Sequence, residues 1–298
     1  MPDLTGITSI VTGANSGIGW WTAKGLAAHG ARVVLACRDV ERGKEAADRI
    51  GAAVPNADLA VAALDLSSMA SVRAFADGWA GPVDLLVNNA GVMAPPHRRS
   101  TDDGFELQFG TNHLGHFVLT GLLLPALLST AMRRVVTVAS TAHHVGSPDV
   151  VDGNAGHSYH AQRTYGNSKL ANVLFMRELQ HQSDTRRLGL TSTAAHPGVA
   201  STGLVADPQG MGANRLLRLV APLFLTVFTQ SAAQGAEATL YAATAGEPGS
   251  FTGPQRMRES RGPIGPAKLS APAQDERLAH RLWQVSEELT GFHYPWPA

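Results

Sequence analysis

The 298-residue sequence has little charge and a single cysteine. Charged residues make up 16% of it and the formal net charge is +0, so we expect no nucleic-acid partner. Lysine and arginine form only isolated pairs, such as Arg98-Arg99 and Arg133-Arg134. The one cysteine, Cys37, excludes an intramolecular disulfide framework and suits a reducing compartment, which predicts a cytoplasmic protein.

Long apolar runs are also missing. No stretch of about 18 uninterrupted apolar residues indicates a membrane span; Leu216–Phe228 comes nearest but is shorter and contains Arg218. The strand-like segment Ile7–Thr12 begins so early that we expect no signal peptide before it. A hydrophobic fraction of 44% predicts a large packed core rather than a disordered chain.

A glycine-rich turn follows the strand Ile7–Thr12. Gly13, Gly17 and Gly19 stand between this strand and a helical run to about His29, a pattern typical of a nucleotide-binding βα unit. Gly17 would let the backbone approach a pyrophosphate at the helix N-terminus, and Gly19 would let helix and strand pack closely. A simple turn is the alternative. The positions predicted to bind the cofactor here are Gly13, Asn15, Ser16, Gly17, Ile18 and Gly19.

The second predicted strand, Arg32–Cys37, ends where an NAD site usually carries an acidic residue. Cys37 takes that place and Arg38 follows it. Because a guanidinium suits a 2′-phosphate, NADP(H) is favoured over NAD(H). The alternative is that Arg38 is a solvated surface residue and Asp39 caps the next helix.

Two further strand ends carry polar residues. Asp58–Leu64 ends in Asp65 and Leu66, and the carboxylate could face an adenine or cap the helix Met69–Trp79, with Ser67 as a competing cap. The buried strand Asp84–Val87 is followed by turn residues that would face the ligand crevice of a doubly wound sheet. The positions predicted to bind the cofactor at these two ends are Asp65, Leu66, Asn89, Ala90 and Gly91.

A long apolar helix is predicted from about Phe105 to Ser129, and it contains Asn112. A buried amide without a partner costs about 1–3 kcal/mol, so Asn112 needs one. His113 and His116 are three residues apart, but no third ligand is visible, so packing or hydrogen bonding is favoured over a metal site and no metal is expected.

Tyr165 and Lys169 are four residues apart, which places both side chains on one face of a helix. A nearby ammonium favours the phenolate, so we expect the pKa of Tyr165 to fall below about 10. Such a tyrosine could exchange a proton near neutral pH. An amphipathic helix with a half-buried tyrosine is the alternative.

The order of these motifs resembles the short-chain dehydrogenase/reductase family over nearly the whole chain. The matching features are Thr12-Gly13-x-x-x-Gly17-Ile18-Gly19, Asp65, Asn88-Asn89-Ala90-Gly91, Asn112, Ser140, Tyr165-x-x-x-Lys169 and Pro197-Gly198. Three segments are similar to the retinol-dehydrogenase and WW-domain-oxidoreductase branch: Cys37-Arg38-Asp39, Asn112–Phe117 and Tyr165–Asn172. The membrane anchors and WW domains of that branch are not matched here, so retinoid activity is not implied.

The resemblance implies a hydride transfer between a nicotinamide cofactor and a carbonyl or alcohol carbon. Tyr165 would be the acid or base, Ser140 would hold the substrate oxygen, and Lys169 would bind the nicotinamide ribose and lower the pKa of Tyr165. Asn112 would hold a water that links Lys169 to solvent. The resemblance also implies that Pro197, Gly198, Val199 and Thr202 lie beside the nicotinamide.

The resemblance further places a substrate lid at about 199–230. Because residues 204–228 are strongly apolar, a hydrophobic small-molecule substrate is expected. Core packing or a subunit interface is the alternative for this segment, so a homo-oligomer stays open. The C-terminal region, about 273–298, is predicted to be a helix followed by an aromatic tail that covers the substrate mouth or a neighbouring subunit, or is frayed.

The strand–helix alternation predicts one doubly wound Rossmann-type α/β domain over 1–298, with a mostly parallel seven-stranded sheet between two helical layers. Two functions follow from it: an NADP(H)-dependent oxidoreductase, or a non-catalytic NADP-binding regulator on the same fold. The four residues Asn112, Ser140, Tyr165 and Lys169 favour the enzyme. A sugar epimerase or dehydratase is disfavoured by the three-residue gap between Gly13 and Gly17.

Overall fold

A computed structural model describes residues 1–153, 156, 158–198 and 230–297 of the chain. Val199, Thr202 and nearly all of the predicted lid therefore lie outside the described residues.

Eight described strands form one sheet in the order β3-β2-β1-β4-β5-β6-β7-β8. The first seven pair in parallel, and β8 runs antiparallel to β7. The strand order reverses between β1 and β4, and ligands of such sheets bind at the carboxyl ends of the strands near that point. The strands are β1 (Thr8–Thr12), β2 (Arg32–Cys37), β3 (Leu59–Ala63), β4 (Leu85–Asn88), β5 (Arg134–Val138), β6 (Thr191–Ala195), β7 (Phe251–Arg256) and β8 (Arg261–Pro266).

Helices cover both faces of the sheet and enclose two apolar cores. One core packs α1, α2 and α8 against the sheet, and the other packs α3, α5, α7 and α9. This arrangement confirms the doubly wound α/β prediction. The helices are α1 (Gly17–Ala27), α2 (Val40–Ala53), α3 (Met69–Asp77), α4 (Leu107–Phe109), α5 (Gly115–Leu122), α6 (Leu124–Leu128), α7 (Ala161–Thr185), α8 (Ala232–Thr244) and α9 (Glu276–Thr290).

The sheet has eight strands rather than the predicted seven, because the Gly-, Pro- and Arg-rich segment Arg256–Pro272 carries the composition of a loop and no strand pattern. The segment contains β8, so β7 lies inside the sheet rather than at its edge. Pro263 and Pro266 lack an N–H, which an edge strand tolerates because one of its sides pairs with no other strand. Composition alone therefore did not predict β8, because the strand conformation of this segment depends on its pairing with β7.

The predicted helix from Phe105 to Ser129 is divided into several pieces. A π-helical turn at Gly110–Leu114 separates α4 from α5. Pro125, in the first turn of α6, lacks the N–H that would continue α5. Single π-turns inside helices are uncommon and occur frequently at functional sites, and this one carries Asn112.

The aromatic tail packs on its own chain. The Tyr294 hydroxyl donates a 2.8 Å hydrogen bond to the Phe117 carbonyl on α5, and the Tyr294 ring lies 4.4 Å from that of Trp283 on α9. Gly121 makes room for the tail, since a Cβ there would lie 2.3 Å from the Phe292 ring. Fraying of the tail, one of the three predicted alternatives, is therefore wrong.

Helix ends follow their sequence signals. Ser231 and Gln234, which have the spacing of a capping box, form one at the start of α8, and Gly291 ends α9 with a φ of 59°. No helix in the described parts of the chain is both long and apolar enough to cross a membrane.

Candidate active site

The glycine-rich turn joins β1 to α1 at the carboxyl edge of the sheet. Gly13 and Gly17 have φ values of 65° and 58°, which favour glycine. Ser16 precedes the helix but makes no side-chain cap, and the first turn of α1 has no acidic residue. The first amide groups of α1 are therefore suited to an anionic ligand, so the turn fits the pyrophosphate of a dinucleotide.

Gly19 packs α1 closely against its neighbours, as predicted. A Cβ at this position would lie 2.4 Å from Asn89 Nδ2 and 2.5 Å from the Gly13 carbonyl oxygen. Any other residue would push α1 away from the turn. Of the other predicted cofactor positions in the turn, Asn15 is half-buried, Ser16 exposed and Ile18 buried.

Arg38 is exposed directly after β2, at the same edge of the sheet. Asp39 caps α2, because its Oδ1 accepts a 3.1 Å hydrogen bond from the Arg42 N–H. A second guanidinium, missed in the sequence, reaches the turn from α2: Arg49 lies 5.3 Å from the Trp20 ring and donates a 3.3 Å hydrogen bond to the Asn15 carbonyl. An exposed arginine on a polar helix gave no signal of this contact.

Asp65 forms a local turn instead of a helix cap. Its Oδ1 accepts from the Ser67 N–H at 2.9 Å and from the Ser67 hydroxyl at 2.6 Å. Ser68 caps α3, so the two predicted caps, Asp65 and Ser67, are both wrong. Leu66 is buried, and its carbonyl lies against Gly115, where a Cβ would approach it to 2.5 Å.

The loop after β4 is bonded to the end of β1. Both the Asn89 and the Ala90 N–H donate 2.9 Å hydrogen bonds to Thr12 Oγ1, and Asn89 Nδ2 donates to the Thr12 carbonyl at 2.7 Å. The Thr12 hydroxyl thus holds the loop at the point where the strand order reverses.

The buried Asn112 side chain is hydrogen-bonded to protein atoms. Its Oδ1 accepts from the Val92 N–H at 2.8 Å, and its Nδ2 donates to the Val92 carbonyl at 3.0 Å and to Ser168 Oγ at 2.9 Å. Protein atoms therefore satisfy the buried amide, and the water expected at Asn112 stays a prediction. A Cβ on Gly91 would lie 3.0 Å from Asn112 Oδ1 and 3.5 Å from Lys169 Nζ, so these side chains converge on Gly91.

Tyr165 and Lys169 lie on one face of α7, 7% and 4% exposed. The Ser140 side chain, which follows β5, lies near enough to the Tyr165 phenol to lower its pKa. Lys169 Nζ donates to the Val138 carbonyl at 3.1 Å and lies 5.8 Å from the centre of the Tyr165 ring. Residues at the end of β5 and on α7 therefore lie together, as the family resemblance implied.

The pKa of Tyr165 moves opposite to the prediction. Burial raises the pKa of Tyr165 to about 12, although the nearby Ser140 side chain opposes the change. Burial also lowers the pKa of Lys169 to about 8. The ammonium points at the Val138 carbonyl rather than at the phenol oxygen, and burial therefore dominates. With these contacts Tyr165 is a phenol at neutral pH, the form that can donate a proton.

Pro197 and Gly198 form a turn at the end of β6. Gly198 has a φ of 67°, and a Cβ on it would lie 2.3 Å from the Ser260 carbonyl. Gln230 donates to the Pro197 carbonyl. The turn is thus held at the same edge of the sheet as the other predicted cofactor positions.

Buried histidines near the site bind separate partners. His143 donates Nδ1–H to the Ser140 carbonyl at 2.8 Å and accepts from the Ser270 N–H at 3.2 Å. Burial lowers the pKa of His143 to about 4, which keeps it neutral. His113 Nε2 lies 2.8 Å from Ser286 Oγ, whereas His116 Nδ1 lies 3.0 Å from the Asn112 carbonyl oxygen. Among the described residues, no group of three or more potential ligands is placed to hold a metal.

Comparison with known proteins gives concordant results. Residues 8–210 match the family described as short chain dehydrogenase. Retinol dehydrogenase 12 of Homo sapiens is 42% identical over 98% of this chain and 88% of its own length, and human retinol dehydrogenase 11 is 42% identical over 97% and 87%.

Solved structures show the same likeness. A crystal structure of an uncharacterised protein from Mycobacterium Paratuberculosis has a TM-score of 0.81 and 39% identity, over 99% of this chain and 97% of that one. An active-site complex of Pseudomonas aeruginosa RhlG with NADP has a TM-score of 0.62 and 26% identity, over 84% and 94%. The chain therefore belongs to the short-chain dehydrogenase/reductase family, on its retinol dehydrogenase branch, and is an oxidoreductase of alcohol and carbonyl groups.

Proposed function

We propose that this protein is an NADP(H)-dependent oxidoreductase of hydrophobic small-molecule carbonyls or alcohols, with Tyr165 as its acid and base. One observation carries the proposal: the buried Tyr165 phenol lies beside Ser140 and Lys169, at the sheet edge that carries the glycine-rich turn. No structural role requires a phenol, a hydroxyl and an ammonium to meet at this edge.

Tyr165 donates the proton when a carbonyl is reduced. Its pKa of about 12 keeps the phenol protonated across the neutral range, so the acid is always available. The Ser140 hydroxyl holds the substrate oxygen within reach of the phenol. The bound nicotinamide supplies or accepts the hydride. In the oxidation direction Tyr165 has to lose its proton before it can act as the base.

Lys169 and Asn112 support the site in different ways. Lys169 supplies the positive charge and an N–H donor for the nicotinamide ribose. Asn112 holds Val92 through two hydrogen bonds, so it fixes the loop at Gly91 next to Lys169. The water-binding role that the resemblance implies for Asn112 stays a prediction beside this contact.

NADP(H) is proposed over NAD(H) because of the groups after β2. Asp39 turns its carboxylate toward the α2 amides, and Arg38 stands exposed beside the turn. A guanidinium at this place attracts a 2′-phosphate. The turn, with Asn15, Ser16 and Ile18, holds the diphosphate, Asp65 and Leu66 border the adenine, and Pro197 and Gly198 border the nicotinamide.

Equilibrium titration tests the cofactor. We expect NADPH to bind with a lower Kd than NADH. Arg38→Ala should reduce the ratio of the two Kd values about tenfold or more, because it removes a charge-assisted contact. Arg42→Ala, which removes a nearby arginine of α2, should leave the difference unchanged. Equal affinities of the unmutated protein for the two cofactors would refute the role of Arg38.

The substrate class rests on the relatives and on the apolar segment 204–228, which stays a predicted lid. Because relatives at 42% identity are named retinol dehydrogenases, retinal and other apolar aldehydes and ketones belong first in a panel followed by NADPH absorbance. We expect turnover of several apolar carbonyls. NADPH binding without turnover across the whole panel would favour the non-catalytic regulator.

A further inference from the structure

The two ring nitrogens of His116 contact the end of β1 and the π-turn that carries Asn112. It lies on α5, one helical turn after Asn112, and is 1% exposed. Its Nδ1 is 3.0 Å from the Asn112 carbonyl oxygen and its Nε2 is 2.8 Å from Thr12 Oγ1. Neither contact is open to competition from bulk water, and none of the roles proposed above uses this ring.

The partners fix the tautomer of His116. A carbonyl oxygen only accepts hydrogen bonds, so Nδ1 carries the proton. Burial lowers the pKa of His116 to about 4, and the nearby Lys169 charge adds to this effect. The ring is therefore neutral at working pH, and Nε2 is an acceptor.

The Thr12 hydroxyl consequently donates to His116 Nε2. It already accepts from the Asn89 and Ala90 N–H groups, so its own proton is the one left to share. The competing acceptor, the Val87 carbonyl, is 3.4 Å away, against 2.8 Å for Nε2. One directed series of hydrogen bonds thus runs from the loop after β4 through Thr12 and His116 to Asn112.

We propose that His116 is a positioning residue that couples the cofactor-binding loop to the π-turn carrying Asn112. The proposal rests on the proposed function, because it assigns the two ends of the ring to two parts of that site. The Nε2 end holds Thr12, and through it the loop that contacts the cofactor. The Nδ1 end holds the Asn112 backbone, whose side chain fixes Val92 and Ser168 beside Lys169.

His113 provides a matched control. It precedes His116 by three residues, is 2% exposed, and burial lowers its pKa to about 3. Its Nε2 contacts Ser286 on α9 at 2.8 Å, so it touches neither end of the active site. We call the two His116 hydrogen bonds, to Thr12 and to the Asn112 carbonyl, the bridge. A His113 variant therefore distinguishes the effect of losing a buried imidazole from the effect of losing the bridge.

Two substitutions of His116 each remove one of its two hydrogen bonds and keep the other. His116→Asn keeps an N–H donor at the position of Nδ1 but has nothing in place of Nε2. We expect it to raise the NADPH Kd about tenfold with little change in kcat. His116→Gln places an acceptor near Thr12 and loses the donor to Asn112. We expect it to keep the NADPH Kd and lower kcat about tenfold.

A double-mutant cycle tests the Thr12 contact directly. Thr12→Val removes the hydroxyl and keeps the shape of the side chain. In that background His116→Asn should not raise the NADPH Kd further, because the bond that it removes is already lost. Additive increases of Kd would contradict the bridge.

The complete experiment measures NADPH Kd by fluorescence titration, kcat with an active carbonyl, and Tm for the unmutated protein, His116→Asn, His116→Gln and His113→Phe. The bridge predicts that His116→Asn changes mainly the NADPH Kd, that His116→Gln changes mainly kcat, and that His113→Phe changes neither. If both parameters follow Tm alike in all three variants, His116 only packs the core and the proposal fails. If the unmutated protein binds NADPH without turnover, the proposed function fails. The NADPH Kd values of the variants then still test whether the bridge exists.

Discussion

Gly19→Ala tests how closely α1 has to approach the loop after β4. The added Cβ would lie 2.4 Å from Asn89 Nδ2 and 2.5 Å from the Gly13 carbonyl oxygen, whereas carbon atoms pack at about 3.5 Å or more. Helix α1 therefore has to move by about 1 Å. Asn89 has to move as well, and it donates a 2.7 Å hydrogen bond to the Thr12 carbonyl.

Overpacking of this kind costs about 1–3 kcal/mol of unfolding free energy, or a fall in Tm of about 2–12 °C for a chain of this size. NADPH affinity should fall about tenfold or more, because the loss of one or more well-placed hydrogen bonds at the turn weakens the ligand contact. Thermal unfolding with and without NADPH measures both effects.

Gly51→Ala is the matched control, since a Cβ on Gly51 in α2 would meet no atom within 4 Å. Alanine is a better helix former than glycine, so the unfolding free energy of this variant should rise by about 0.5–1 kcal/mol. Its NADPH affinity should stay unchanged. If the two variants have the same Tm and the same NADPH Kd, the close approach at Gly19 does not matter and the reasoning is refuted.

Two further predictions concern stability. His113, His116 and His143 have folded pKa values of about 3, 4 and 4, below the usual 6.5, so the unfolded chain binds more protons between pH 4 and 6.5. The unfolding free energy should therefore fall as pH decreases through this window, and a urea midpoint unchanged between pH 7 and pH 5 would contradict the neutral burial of these rings. Gly121→Ala places a Cβ 2.3 Å from the Phe292 ring, so it should release the tail and increase the quenching of tryptophan fluorescence by acrylamide, and unchanged quenching would count against the tail packing.

The sequence was informative where a residue type has one strong reason for its place. Gly13 and Gly17 need a positive φ, and Gly291 ends a helix for the same reason. The order of these signals along a strand–helix alternation predicted the doubly wound fold. That Ser140 and Tyr165 share a site was implied by the family resemblance and not by this alternation.

The sequence was uninformative where the partner of a residue lies far along the chain. Pro263 and Pro266 belong to a strand only because β7 lies beside it. The His116–Thr12 contact joins positions 104 residues apart, and no local pattern marks it. The pKa of Tyr165 was predicted with the wrong sign because spacing shows that Lys169 is near but not that its Nζ points at the Val138 carbonyl.

The central claim is that the Tyr165 phenol transfers the proton, and Tyr165→Phe tests it most directly. Tyr294→Phe is the control, because it removes an equally buried phenol whose hydroxyl binds the Phe117 carbonyl at the far side of α5. The measurement is the rate of NADPH oxidation with one active aldehyde, together with the NADPH Kd of each variant. We predict that Tyr165→Phe lowers kcat by at least about 100-fold, with NADPH still bound, and that Tyr294→Phe loses stability but keeps its kcat. A Tyr165→Phe variant that reduces the aldehyde as fast as the unmutated protein would contradict the account.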